Sequence, residues 1–197
     1  MKKITPYIPH ILLGIYLIIF ICLGINPYER STWFVENLPI VIVVLGLVLT
    51  FKKFRFSNFS YVLMFSFLIF HTIGGHYTFE RVPFDFINDM FGWKRNSFDR
   101  VGHFLVGVFA YPIAELFYRK NWVKNIWVAI LVGILALGFW GALYEIIEMI
   151  YAVKVGGSSG ASFLGSQGDV WDAQKDMALD ILGAGLFSFF YLFKKHH

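Results

Sequence analysis

Long apolar stretches, separated by short polar segments, make up most of the chain. Crossing a hydrocarbon core takes about 20 helical residues, and several stretches reach or approach that length. They span about 8–26, 37–51, 58–76, 99–118, 126–152 and 176–193. The second and the sixth are short, which leaves a re-entrant second segment as an alternative to a full crossing. The pattern predicts an all-α, polytopic membrane protein in which residues 1–197 form one helical membrane domain with six transmembrane helices.

Composition agrees with this class. The chain of 197 residues is 57% hydrophobic and only 15% charged, with a mean hydropathy of +0.62. Since soluble proteins carry about 25% charged residues, the shortfall excludes disordered, collagen-like and ordinary cytosolic proteins. The one cysteine, Cys22, lies inside an apolar stretch, so neither an intrachain disulfide nor a cysteine-based metal site is expected.

The distribution of basic residues predicts the orientation in the membrane. A net charge of +4 does not indicate a nucleic-acid partner here, because the lysines and arginines lie between apolar stretches and form no basic face. They are concentrated in segments almost free of acids, namely Lys2 with Lys3, the connections 52–55 and 119–124, and Lys194 with Lys195. The positive-inside rule assigns these segments, and hence both termini, to the cytoplasm. The first stretch lacks a cleavage pattern before Asn26, so we expect a retained helix and not a signal peptide.

Ionisable side chains gather at the outward ends of the last four predicted helices. They are His71, His76 and Tyr77, then Asp99, Arg100 and His103, then Glu145 and Glu148, and finally Asp169, Asp172, Asp176 and Asp180. Residues three or four positions apart share a helix face, as Asp99 and His103 do. An ionised carboxylate within a transmembrane helix costs at least about 2.5–3.5 kcal/mol, so we expect these groups to meet in one polar cavity and not to face lipid.

The residue types in this set indicate a divalent metal ion. The expected ligands are His103, Glu145, Glu148 and Asp176, with His71 as a further candidate. Mixed imidazole and carboxylate donors suit zinc, manganese or iron(II), whereas carboxylates alone suit magnesium or calcium. The donor set therefore does not choose the metal.

Such a site would support hydrolysis or group transfer, because a metal ion with an open position activates a bound water. Asp180 or His76 would serve as general base, and Arg100 would orient an anionic group through its guanidinium. Asp99, Asp169, Asp172 and Tyr77 complete the polar cluster. The leading hypothesis is a metal-dependent enzyme that acts on a lipid-linked or cell-envelope substrate, in contact with membrane lipid and without a nucleic-acid partner.

Other interpretations of the same residues stay open. Asp99 and Asp169 have the positions of helix-terminal acids that complement the dipole or cap the helix. The acids would form a mere structural scaffold if they only pair with Arg100 and Lys175. They would also suit a proton- or cation-coupled transporter or a non-enzymatic membrane binding protein. For transport, the predicted cytoplasmic half adds little beyond Glu115. The glycine-rich segment 156–160 is expected to be a flexible loop over the cavity.

Several sequence motifs that contain these residues resemble those of a known family. His71-x4-His76-Tyr77, Asn96-x2-Asp99-Arg100-x2-His103, Glu145-x2-Glu148 and Gln167-Gly168-Asp169-x-Trp171-Asp172-x3-Asp176 are similar to the YjdF-like inner-membrane proteins of bacteria, over about residues 60–190. The shorter pattern of Asp99, His103, Glu145, Asp176, Asp180 and Gly183 more loosely resembles the VanZ-like membrane proteins, which are associated with low-level glycopeptide tolerance. Both resemblances imply a multi-pass protein of the bacterial cytoplasmic membrane, and neither implies an established reaction.

Overall fold

The computed structural model of the chain describes residues 5–193, apart from the side chains of Thr5, Ser158, Ser159 and Ser162. The described part contains helices and turns and no strand. Its α-helices are α1 (Ile8–Gly24), α2 (Arg30–Thr50), α3 (Asn58–Tyr77), α4 (Asp85–Phe91), α5 (Phe98–Val106), α6 (Ala110–Arg119), α7 (Ile126–Val155), α8 (Gly157–Leu164) and α9 (Asp172–Phe189). Lys2, Lys3, Lys194 and Lys195, on which part of the predicted orientation depends, lie outside the described residues.

The helices confirm a multi-pass membrane protein. Five helical segments are long and apolar enough to cross a membrane, namely Arg30–Thr50, Asn58–Tyr77, Phe98–Arg119, Ile126–Val155 and Asp172–Phe193. The remaining predicted crossing is α1, an apolar helix of 17 residues. At 1.5 Å per residue α1 is about 25 Å long, near the lower limit for a crossing.

Helix α2 begins seven residues before the predicted second stretch. It is one continuous helix of 21 residues, so a re-entrant second segment is wrong for this structure. The prediction began at 37 because Glu36 and the charged residues before it resemble a loop. In the structure Glu36 and Asn37 are instead buried, each with 3% of its surface exposed.

The chain groups into two compact units, Met1–Val82 and Pro83–His197. In the first unit α3 packs against both α1 and α2, and the hydroxyls of Tyr16 and Thr72 lie 3.1 Å apart, which joins α1 to α3. In the second unit α9 packs against α5, α6 and α7. Ala110, Leu137 and Ala184 form a small apolar core between these helices.

The predicted helix over 99–118 is interrupted. A 3-10 turn over Gly107–Phe109 separates α5 from α6. Pro112 has no N–H with which to bond the carbonyl four residues back, so the regular ladder cannot run unbroken through this region. The turn also lies where the helices approach most closely, because a Cβ on Gly107 would overlap the backbone of Gly183.

The glycine-rich segment after α7 forms the start of a short helix, so the prediction of a loop there is wrong. The backbone turns at Gly156 and Gly157, whose φ angles are 68° and 57°, a region that favours glycine. The chain then continues as α8. Gly160 packs so closely on the end of α7 that a Cβ there would lie 2.5 Å from the carbonyl oxygen of Ala152.

We predict that Gly183→Ala lowers the free energy of unfolding by about 1–3 kcal/mol, because the new Cβ would overlap the carbonyl of Phe104. Gly185→Ala, on the same helix, is the matched control, since a Cβ at that position meets nothing within 4 Å and alanine favours the helix. Thermal unfolding in detergent, followed by tryptophan fluorescence, compares the two. Equal melting temperatures would contradict this close packing.

Candidate metal centre

The acidic side chains of the second unit meet at one end of its helices. Glu145 is the twentieth residue of α7, about 29 Å from the first at 1.5 Å per residue, which is close to the thickness of a hydrocarbon core. Asp99 lies in the first turn of α5 and Asp172 begins α9. The site therefore lies near one end of these helices, and Asp180 lies about two helical turns along α9 from Asp172.

His103 is the centre of this group. Its Nδ1 is 3.1 Å from Oδ1 of Asp180, and its Nε2 is 3.8 Å from Oδ1 of Asp99 and 3.7 Å from Oε1 of Glu145. When it is ionised, the Asp180 carboxylate can only accept a hydrogen bond, so Nδ1 would donate its proton to it. Nε2 faces Asp99 and Glu145. Metal-binding histidines commonly have this arrangement, with the other ring N–H donated to a carboxylate.

Donor atoms of three side chains lie close enough to share an ion. Asp99, His103 and Asp176 each offer one atom, and these atoms lie within 4.8 Å of one another. In addition, Glu145 Oε1, Asp176 Oδ1 and Asp180 Oδ2 are buried without a hydrogen-bond partner. A buried polar atom with no partner is costly, so these oxygens are where a proton or a cation would be most stabilising.

A glycine allows the deepest of these carboxyl groups to reach its position. A Cβ on Gly141 of α7 would overlap Oδ2 of Asp180. Asp180 is only 1% exposed and Asp176 only 2% exposed. The absence of a side chain at Gly141 therefore lets α9 press its acids against α7 beside Glu145.

We call Asp99, His103, Glu145, Asp176 and Asp180 the inner cluster. It contains four carboxyl groups and one imidazole, so even a protonated His103 would leave an excess of negative charge if the acids are ionised. At about 2.5–3.5 kcal/mol for each buried charge, that excess is comparable with the whole stability of a protein, about 5–15 kcal/mol. The inner cluster needs a positive partner or bound protons.

The nearby basic side chains are already engaged by other acids. Arg95 and Arg100 both bond Asp172, with Arg100 Nη2 3.0 Å from Oδ1. Arg100 also bonds Asp169, and Lys175 Nζ lies 2.5 Å from Oδ2 of Asp169. We call these five residues the outer network. The arginine and the lysine that the sequence offered as partners for the inner acids thus form their described ion pairs within the outer network.

Sequence reasoning missed Arg95 in this network. Besides Asp172, its guanidinium bonds the carbonyls of Gly165 and Ser166 at 3.1 and 3.2 Å, and so fixes the loop before α9. Next to it Asn96 exchanges two hydrogen bonds with the Gln167 side chain, each 2.9 Å. Asn96 and Gln167 belong to the sequence motifs that resemble the YjdF-like family. The position of Arg95 next to Asn96 was therefore the signal that could have identified it.

The predicted site residues of the first unit make other contacts. His71 Nε2 is 2.9 Å from the backbone oxygen of Glu36 and 3.7 Å from its carboxylate, a pairing that the sequence did not indicate. His76 Nδ1 donates to the carbonyl of Leu23 at 2.7 Å, and its ring contacts Tyr77. The roles of His71 as a ligand, of His76 as a base and of Tyr77 in the cluster stay predictions.

Glu148 is also a predicted ligand. It lies one turn beyond Glu145 on the same face of α7 and is partly buried. Among the described residues, the group with clustered donor atoms consists of Asp99, His103 and Asp176 and includes neither of the expected ligands Glu145 and Glu148. The roles of Glu145 and Glu148 as ligands stay predictions.

The outer network gives a pH-dependent prediction. Lys175, the Trp171 backbone N–H and Arg100 hold the pKa of the Asp169 carboxyl well below its usual range. Since this pKa is lower in the folded than in the unfolded protein, the stabilisation is complete above the ordinary aspartate pKa of about 3.9 and is lost as the pH falls further. We expect Asp169→Asn to melt below the wild type at neutral pH, with a difference that shrinks below about pH 4.

Melting curves of both proteins between neutral and acidic pH measure this difference. The exposed Asp89 of α4 supplies the control substitution Asp89→Asn, for which we expect wild-type melting throughout. A difference between Asp169→Asn and wild type that grows under acidic conditions would contradict the assignment.

Comparison with known proteins gives the family. The family model described as "Predicted membrane protein (DUF2238)" matches residues 8–196. The inner membrane protein YjdF of Escherichia coli (strain K12) is 37% identical over 170 residues, which cover 85% of this chain and 80% of that protein. No solved structure matches the chain. With its several apolar helices, this is a multi-pass protein of the bacterial inner membrane, and it belongs to the DUF2238 family of membrane proteins.

Proposed function

We propose that this protein binds a divalent cation at the inner cluster. The observation that carries the proposal is the buried excess of four carboxyl groups over one imidazole, with three of their oxygens lacking a hydrogen-bond partner. The outer network supports it further, because its bases form ion pairs with Asp169 and Asp172, whereas the ion pairs described for the inner acids are with His103.

His103 through Nε2, Asp99 and Asp176 are the proposed ligands. Asp180 is then a positioning residue, since its contact with Nδ1 orients the imidazole without occupying Nε2. This donor set suits zinc, manganese or iron(II), and magnesium if the carboxylates dominate.

We further propose that the protein is a hydrolase or transferase. The bound ion would supply a water whose pKa is lowered toward neutrality. Glu145, whose Oε1 lies 3.7 Å from His103 Nε2 and has no hydrogen-bond partner, is placed to accept a proton. Arg100 lies beside the cluster as an anchor for an anionic group. The proposal includes six crossings, cytoplasmic termini and an outward-facing site at the membrane boundary, an arrangement that would favour a lipid-linked or cell-envelope substrate.

A proton- or cation-coupled carrier is the second candidate. The favouring observation is Glu115 on α6, which is fully buried and bonds Arg119 at 2.7 Å. A route from the inner cluster would have to pass the stretch of α9 over 181–187, which contains no ionisable residue. Because this stretch offers no ionisable side chain for a proton or cation, we rank the carrier below the enzyme. The looser likeness to VanZ-like proteins stays a prediction and favours neither candidate.

The metal proposal predicts that protein purified without chelators holds about one divalent ion per chain, measured by elemental mass spectrometry. Titration calorimetry with Zn²⁺, Mn²⁺ and Mg²⁺ then compares variants of the stripped protein. We expect Asp176→Asn to weaken binding of the preferred ion by about 100-fold or more, and Asp180→Asn, which alters the partner that orients the imidazole, to weaken it by about 10-fold to 100-fold.

The exposed Asp85 of α4 provides the matched control Asp85→Asn, for which wild-type affinity is expected. Wild-type affinity in Asp176→Asn, or no binding of any of the three ions by the wild type, would refute a metal at this cluster.

The hydrolase proposal makes a separate prediction for Glu145→Gln. A general base contributes about 10²- to 10⁴-fold to a rate, so this variant should keep its ion and release orthophosphate from a polyprenyl pyrophosphate at least about 100-fold more slowly. The assay uses wild type and variant in detergent with added metal. Metal binding without hydrolysis of polyprenyl pyrophosphates or phospholipids would reject these substrates and favour the carrier.

A further inference from the structure

The first unit contains an apolar cavity that the proposed metal centre does not use. It has a volume of about 410 Å³ and lies among α1, α2 and α3, with Leu13, Tyr16, Val44, Met64 and Leu68 in its wall. Cavities of about 300–1,000 Å³ are the size that accommodates small-molecule ligands. Its wall is almost entirely hydrocarbon and aromatic, so it would accept an apolar chain.

The cavity has a basic end and an apolar end. His10 near the start of α1 and Lys52 just after α2 line one end. Tyr16, which bonds Thr72 on α3, lies six residues beyond His10, about 9 Å along the helix. Val44 lies eight residues before Lys52, about 12 Å away by the same measure. The wall therefore extends along the helices from a basic residue pair toward the middle of the unit.

The charges of this unit are separated along the helices. Lys53 and Arg55 follow Lys52, and Arg55 Nη2 donates to the carbonyl of Pro6 at 3.1 Å, which holds this basic connection beside the start of α1. None of the described residues that line the cavity is acidic. The nearest acid along α2, Glu36, lies sixteen positions before Lys52, about 24 Å of helix away. The basic end is therefore suited to a phosphate group and not to a cation.

We propose that this cavity binds one acyl chain of an anionic phospholipid whose headgroup phosphate lies against Lys52 and Lys53. Basic pockets between membrane helices are known to hold anionic headgroups, and the apolar wall supplies the site for the chain. This lipid is independent of the metal centre, since every residue that forms the site belongs to the first unit.

Native mass spectrometry of the whole protein in detergent tests the proposal, with phosphatidylglycerol and phosphatidylcholine of identical chains as probes. We expect the wild type to bind phosphatidylglycerol more tightly than phosphatidylcholine, by at least about fivefold for each lysine that contacts the headgroup. Lys52→Glu with Lys53→Glu should abolish that preference. Lys120→Glu with Lys124→Glu, in the other predicted cytoplasmic connection, is the charge-matched control and should keep it.

A second substitution tests the chain-binding part. Val44→Trp places an indole in the cavity and should reduce retention of both lipids by at least about tenfold, whereas Ile42→Trp, on the exposed side of the same helix, should not. If Val44→Trp does not yield folded protein, Leu47→Phe makes the same test with a smaller side chain. The proposal is overturned if the wild type retains the two lipids equally. It is also overturned if the variant with the filled cavity retains them as strongly as the wild type does.

Discussion

The structure of the second unit depends on the buried carboxyl groups of the inner cluster. Four carboxyl groups surround one imidazole, and the side chains that enclose them leave little water to stabilise their charge. The contacts around these carboxyl groups reduce the free-energy cost of burying them. The Asp180 carboxyl group contacts Nδ1 of His103, and the outer network pairs Asp169 and Asp172 with bases. The carboxyl groups that remain without such partners are the reason for the proposed cation.

Close helix contacts hold the acids at that position. Gly107, Gly141 and Gly183 allow three backbones and one carboxyl group to approach to distances that any side chain would prevent. In lipid, where apolar side chains gain little from meeting one another, close packing of small residues is a main source of helix association. The same glycines therefore provide both the association of the helices and the space for Asp180.

Periodicity and charge were sufficient to predict the helical class and most of the spans, because a membrane imposes a length on every crossing. The spacing of the ionisable residues also predicted one polar cluster, and the structure brings five of those side chains together. They are Asp99, His103, Glu145, Asp176 and Asp180. The early start of α2, the partner of His71 and the role of Arg95 were missed. Each depends on contacts between residues distant in sequence, which no local pattern contains. The helix after Gly157 was missed because glycine and serine also favour turns.

The outer network and the inner cluster have opposite net charge, and they follow one another along α9. Asp172, with its arginines, precedes Asp180 by eight residues, about 12 Å of helix. For the proposed cation, the positive charge of the outer network would oppose approach, whereas the acids of the inner cluster would favour binding. Both uptake and release would then be slow, so occupancy would depend on the history of the protein more than on the momentary ion concentration.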